Sequence, residues 1–182
     1  MSLVITGNPG VGKHTVSKSL AKILDYKILD INKIALESNL YEKTDEANDV
    51  DVLRLKNILK KKISKKSLIV GHLAPYVLTK SQVSKAIILR KSPYKLVQIY
   101  KKRKYSKKKT TENLGSEVLG IIAYEAMKKF GKNKTFQVDT SSKSISNLTK
   151  HIKDILDGKS KTETVDWLSV VKERDLQKFF SY

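Results

Sequence analysis

The run Gly7-Asn8-Pro9-Gly10-Val11-Gly12-Lys13-His14-Thr15 gathers the residue types that hold a phosphate. The spacing Gly7-x4-Gly12-Lys13 is that of a phosphate-binding loop up to its lysine. Gly10 and Gly12 allow positive φ and let the backbone approach phosphate oxygens. Free N–H groups at the start of the following helix, with its dipole behind them, favour an anion. Lys13 adds a mobile charge for β- and γ-phosphates. The general pattern places Ser or Thr after the lysine, where the hydroxyl helps hold Mg²⁺. Here His14 stands there and Thr15 follows.

Four further residues are candidates. Asp30 closes the strand-like segment 26–30, on the same sheet edge as the loop. His72 follows the apolar run Ser67-Leu68-Ile69-Val70, where a phosphate-loop protein usually carries an acid for the Mg²⁺ shell. It could orient an attacking water or contact the γ-phosphate, although a lone histidine after a strand is more often structural. Arg103 is the one arginine in the basic run 101–109, and its planar fork suits a transferring phosphoryl group. A mobile cationic loop there would serve as a closing lid. An RNA-phosphate patch and a solvated turn are the alternatives. Asp51 reads first as a helix cap.

The elements that must position these residues follow from hydrophobic period. Segments 3–5, 26–30, 67–70, 85–90 and 135–139 read as strands, and amphipathic helices alternate with them. This predicts an α/β three-layer fold with about five parallel strands, with the phosphate loop at its ligand edge. One long helix is expected over about 111–130, stopped by Gly131, and a polar, acidic loop over 39–51. The loop 140–143 lies at the ligand edge, placed to border a base. The tail, 165–182, reads as an amphipathic helix or a docking segment. The organisation expected is a phosphate-loop domain over 1–157, then a linker and tail over 158–182.

With 182 residues and no cysteine, the chain suits one domain in a reducing, cytoplasmic compartment. No signal peptide precedes the first strand, and no apolar run is long enough for a membrane span. The formal net charge of +19 would attract phosphates, nucleotides or RNA at long range. Most of that charge is lysine, which suits backbone phosphate better than base edges.

Several residues together resemble one family, the archaeal proteins called "putative adenylate kinase", related to adenylate kinase isoenzyme six of eukaryotes. They are Gly7 to Lys13, Ala35-Leu36-Glu37, Asp51, Gly71-His72-Leu73, Leu89-Arg90, Arg103-x-Tyr105-Ser106, Glu112-Asn113, Glu117, Val138-Asp139-Thr140 and Asp166-Trp167-Leu168. The resemblance implies a P-loop NTPase fold of nucleoside monophosphate (NMP) kinase type, and transfer of the terminal phosphate of ATP to AMP, giving two ADP, with broad acceptor tolerance and an ATPase activity. It implies Mg²⁺, a donor site at Gly10, Val11, Gly12, Lys13, His14, Thr15 and Arg103, and an acceptor region over about 30–53 that includes Asp30 and Asp51. It implies a lid over about 102–113. It also implies a role in late maturation of the small ribosomal subunit and its 16S rRNA, through transient binding of a small-subunit protein of the S-eleven type. The family carries Thr at the position of His14 and an acid at that of Val70, so the metal ligands stay undefined. A catalytically weak, nucleotide-dependent assembly factor is the alternative expectation.

Overall fold

The computed structural model describes residues 1–43 and 48–180. The chain runs β1 (Ser2–Thr6), α1 (Lys13–Leu24), β2 (Lys27–Asp30), α2 (Ile31–Glu37), β3 (Tyr41–Lys43), β4 (Asn48–Val50) and α3 (Val52–Lys62). It continues with β5 (Ser67–Val70), α4 (Ala74–Val77), β6 (Val83–Arg90), α5 (Pro93–Lys102), α6 (Lys107–Val118) and α7 (Ile121–Phe130). β7 (Thr135–Asp139), α8 (Ile145–Leu156) and α9 (Leu176–Phe179) complete it. None of these helices is long and apolar enough to cross a membrane.

β1, β2, β5, β6 and β7 form one parallel sheet in the order β2-β5-β1-β6-β7. Helices cover both faces, so the inner strands are near-continuous apolar runs. Alternation still sorts their side chains. Leu3, Ile5, Leu68 and Val70 pack with Val16 and Leu20 of α1 and with α5 and α8 on one face. Val4, Ile69, Ala86 and Ile88 meet α2, α3, α4 and α7 on the other. The chain crosses from one side of β1 to the other between β5 and β6, which makes the carboxyl end of β1 the switch point where such sheets bind ligands.

Three expectations are corrected. The acidic loop contains a short antiparallel hairpin, β3 with β4, pairing Tyr41 with Val50. Asp45 and Glu46 of that loop lie outside the described residues. The basic run 101–109 is not a loop. It is the end of α5, a turn over 103–106 and the start of α6, with Lys104 at φ 53° and Ser106 accepting from the Lys109 N–H as N-cap. Lysine is a good helix former, so a dense lysine run need not be a coil. The long helix over 111–130 is two helices, broken at Leu119 and Gly120. Gly120 sits at φ 67°, and a Cβ there would lie 3.3 Å from the Arg90 guanidinium. Only glycine combines that conformation with that approach.

The chain after α8 lies along the body. The Glu163 N–H donates to the Gln137 carbonyl (3.0 Å), and the Gln137 N–H donates to Thr162 Oγ1 (2.8 Å), so this segment occupies the outer edge of β7. Phe179 is buried in the core and meets Tyr94 edge-on at 5.3 Å.

Candidate functional site

The phosphate loop connects β1 to α1 and is shaped by what lies behind it. Gly7 has φ 131°, and a Cβ there would stand 2.2 Å from the Leu89 carbonyl oxygen, which no side chain tolerates. Gly12 has φ 101° and leads straight into α1. The loop is pinned at three further points. The Tyr100 hydroxyl donates to the Pro9 carbonyl at 2.7 Å. Thr140 Oγ1 lies 2.9 Å from both the Val11 and the Arg90 carbonyl oxygens. Asn8 Nδ2 donates to Glu117 Oε2 at 2.7 Å, and Ser116 Oγ donates to Asn8 Oδ1 at 3.0 Å.

Glu117 is fully buried and is the centre of this support. Its Oε1 receives Arg90 Nε (2.9 Å), the Lys91 N–H (3.0 Å) and Trp167 Nε1 (3.0 Å). Arg90, 3 % exposed, also donates to the Glu117 carbonyl (2.7 Å) and to Gln137 Oε1 (2.6 Å). A buried ion pair is tolerable when its remaining hydrogen-bonding capacity is met in this way. Sequence reasoning passed over this hub as a site. The signal was an acid on the inward face of a helix, between Leu114 and Val118, together with an arginine ending a buried strand.

Lys13 is buried, and its ammonium donates to the Gly7 (2.8 Å) and Asn8 (2.9 Å) carbonyls. Burial pushes its pKa from 10.5 down to about 8. Glu117 and Asp30 oppose that shift and Arg103 adds to it. His72 is pushed from 6.5 down to about 4, first by burial and then by the nearby charges of Lys13 and Lys109. It is a neutral imidazole at pH 7. Lys13, His72, Asp30 and Arg103 therefore share one electrostatic environment at the loop.

The other predicted residues fall as follows. Gly10, Val11 and Gly12 form the loop and Thr15 is an exposed residue of the first turn of α1. His14 is exposed, with Nδ1 3.2 Å from Asp30 Oδ2. Asp30 Oδ1 meanwhile accepts the N–H groups of Asn32 and Lys33 and so caps α2. Arg103 is exposed in the turn, and its guanidinium donates to the Tyr105 hydroxyl at 3.5 Å. Tyr105 stacks on Tyr100 (5.2 Å, 16°), which ties that turn to the loop. Asp51 caps α3 by accepting from the Arg54 N–H (2.9 Å). Val70 is fully buried in the core. The hydroxyls of Thr140 and Ser141 are engaged by protein groups: the Ser92 N–H donates to Ser141 Oγ at 2.7 Å.

The architecture has counterparts of known structure. It is similar to shikimate kinase from Aquifex aeolicus at TM-score 0.54, covering 87% of this chain and 97% of that one at 17% identity. That likeness concerns the fold. A family model described as "AAA domain" matches residues 3–120, from β1 through the α6–α7 break. Proteins named "Putative adenylate kinase" align over nearly the whole chain. The one from Thermococcus onnurineus is 31% identical over 92% of this chain and 91% of its own. Those from Saccharolobus solfataricus and Methanosarcina barkeri are 32% and 31% identical, covering 92% and 94% of this chain and 88% and 100% of theirs. The chain belongs to this family. The loop, Lys13 and the Glu117 hub are joined by hydrogen bonds at the carboxyl end of β1.

The lowered pKa of Lys13 has a measurable consequence. Bound phosphates favour its charged form and raise the pKa again. The free protein loses this proton as pH rises through about 8, whereas the complex retains it. ATP binding at pH 8.5 should therefore take up a substantial fraction of a proton, and affinity should fall as pH rises further. Calorimetry in two buffers of different ionisation enthalpy reads this directly. Binding heat independent of buffer at that pH would contradict the assignment.

Proposed function

We propose that the chain is an NMP kinase that moves the γ-phosphoryl group of ATP to AMP, and hydrolyses ATP when no acceptor is bound. The observation that carries this reading is the state of Lys13: a buried cation that donates to two loop carbonyls, in a site that already depresses its pKa. A phosphate oxygen would replace those carbonyls with a full negative charge. In the transfer, the bond from the β,γ-bridging oxygen to the γ-phosphorus breaks and a bond from an AMP phosphate oxygen to that phosphorus forms. Charge spreads over the equatorial oxygens, and catalysis is mostly positioning and electrostatics. The loop N–H groups and Lys13 hold the donor, and Arg103 closes from the turn between α5 and α6 to neutralise developing charge. Neutral His72 accepts a hydrogen bond from water in the ATPase reaction or donates one to the γ-phosphate. The acceptor lies against the segment 30–53, with Asp30 and Asp51 at its borders.

The donor set fits Mg²⁺ carried in by the nucleotide. Mg²⁺ keeps most of its waters and needs only one or two carboxylates besides substrate phosphates. Asp30 is a carboxylate beside Lys13 and has one oxygen turned to His14 instead of to the α2 cap. Mg²⁺ there would screen the phosphates, and the ring of His14 would move off Asp30 to admit it.

A second reading is supported by His14 and by buried, apolar Val70: a weakly catalytic assembly factor that uses nucleotide as a switch. In either case the family resemblance and the +19 charge favour work in the cytoplasm on the maturing small ribosomal subunit, through its S-eleven-type protein. The test is ADP formation from Mg²⁺-ATP with and without AMP. Strong stimulation by AMP supports the kinase. Tight ATP binding with almost no turnover in either condition replaces it with the switch.

A further inference from the structure

The end of α3 carries a concentration of charge that the nucleotide site does not use. Lys60, Lys61 and Lys62 form its last turn, and Lys65 and Lys66 follow in the connection to β5; all five are exposed. Lysines suit a helix C-terminus because of its dipole, so the local structure tolerates the cluster without acids. Lys66 is paired with Asp25 at 2.9 Å. Among the described residues, Lys60, Lys62 and Lys65 have no ion-pair partner.

This ridge stands between two clefts. One, of about 500 Å³, is lined by Lys62 of the ridge and by Lys18, Lys27 and Lys33 from α1, β2 and α2. Its acids are already engaged, Asp30 by His14 and the α2 N-terminus, and Glu37 by Lys33 at 3.6 Å. The other, of about 670 Å³, is lined by Lys56, Lys60 and Lys65 with Asn57, Ser64 and Thr79, and among the described residues no acid lines it. A chain of negative charge crossing the ridge would therefore find cations in the cleft on either side.

We propose that the ridge at the end of α3, with its two flanking clefts, binds the phosphate backbone of a nucleic-acid strand. Three features select that occupant. The cations are lysines, point charges that suit phosphate oxygens, and no arginine fork lines either cleft to grip a carboxylate in the bidentate way. Segment 60–66 exposes no large apolar side chain, which an interfacial membrane anchor requires. The clefts hold hydroxyl and amide groups beside the lysines, the usual partners of phosphate and sugar oxygens. Lysine contacts of this kind give affinity without reading sequence. The cleft lined by Lys56, Lys60 and Lys65 shares no residue with the nucleotide site, whereas the cleft lined by Lys62 adjoins that site through His14 and Asp30.

The test is anisotropy of a labelled, unstructured single-stranded RNA oligonucleotide titrated with the intact chain between about 50 and 200 mM salt. The ridge variant is Lys60→Glu/Lys62→Glu/Lys65→Glu. The control, Lys128→Glu/Lys129→Glu/Lys132→Glu, makes the same charge change at exposed positions on and beside the end of α7. The ridge variant should bind at least about tenfold more weakly, and its slope of log affinity against log salt should fall by about 2, near 0.7 per lost phosphate contact. The control should keep the wild-type slope to within about one contact. A DNA oligonucleotide of the same sequence separates the sources: equal binding means the shared backbone suffices, and RNA preference means that 2′-hydroxyls contribute. Undiminished binding by the ridge variant, or an equal loss in the control, overturns the proposal. So does tighter binding of anionic vesicles or polyglutamate than of RNA. AMP-dependent ADP formation by the wild-type chain reports on the kinase reading separately.

Discussion

Glu117→Gln should cost the protein about 3–5 kcal/mol, a large part of the stability of an ordinary domain. The side chain has the same shape, but the Arg90 guanidinium is left in the core without its counter-charge, and an amide group faces donors from Asn8, Lys91 and Trp167. For a chain of this length the loss corresponds to a fall in Tm of about 6–20 °C. Freeing Asn8 also loosens the phosphate loop, so ATP affinity should fall in the variant that remains folded. The double replacement Arg90→Met/Glu117→Leu should cost less than Glu117→Gln, because it removes both charges together. Thermal unfolding of the two variants, with and without ATP, checks this. A Glu117→Gln variant within about 1 kcal/mol of the wild type would show that the hub is not what holds the loop.

The opposite dissociation of fold from function is expected at Lys13. Lys13→Ala should lower AMP-dependent turnover by about 10²–10³, the usual cost of removing one preorganised group from a charge-developing transition state. Stability should hold or rise. The wild-type fold keeps this cation buried at a cost, visible in a pKa pushed down to about 8. The sign follows from linkage: the unfolded chain binds this proton more tightly, so below about pH 8 the group weighs against the fold, and the penalty is relieved as pH rises towards 10.5. Removing the ammonium removes that penalty together with two hydrogen bonds to loop carbonyls. Turnover within about tenfold of the wild type would remove Lys13 from the mechanism.

Much of the fold was legible because it rests on local period and punctuation. Five apolar runs of β-forming residues, each followed by helical spacing, leave few alternatives to a parallel sheet, and Gly7 to Lys13 marks its ligand end. The departures came where period is silent. Leu114, Val118 and Ile122 keep one helical face across Gly120, so the pattern continues through a break where Gly120 lies close against the Arg90 guanidinium. The β3–β4 hairpin is too short to show alternation. The lysines of 101–109 look like a loop by charge but are helix formers by propensity. At the site, the loop could be read residue by residue. Its support could not, because Asn8, Arg90, Glu117 and Trp167 lie far apart in the chain and meet only in the folded core. Asp30 and Asp51 illustrate a related ambiguity: each caps a helix, a task that by itself accounts for an aspartate at that position.

The two borders of the sheet differ in how they are closed, and this bears on the behaviour of concentrated solutions. At β7 the chain lays its own residues 162–163 against the last strand, so the backbone there has partners that salt does not remove. At β2 the guard against a second molecule is electrostatic: exposed Lys27 on the strand and its lysine neighbours repel an identical edge. Such repulsion weakens as the screening length falls from about 10 Å at 0.1 M salt to about 3 Å at 1 M. Self-association through the β2 border should therefore rise with salt, which light scattering against salt concentration checks.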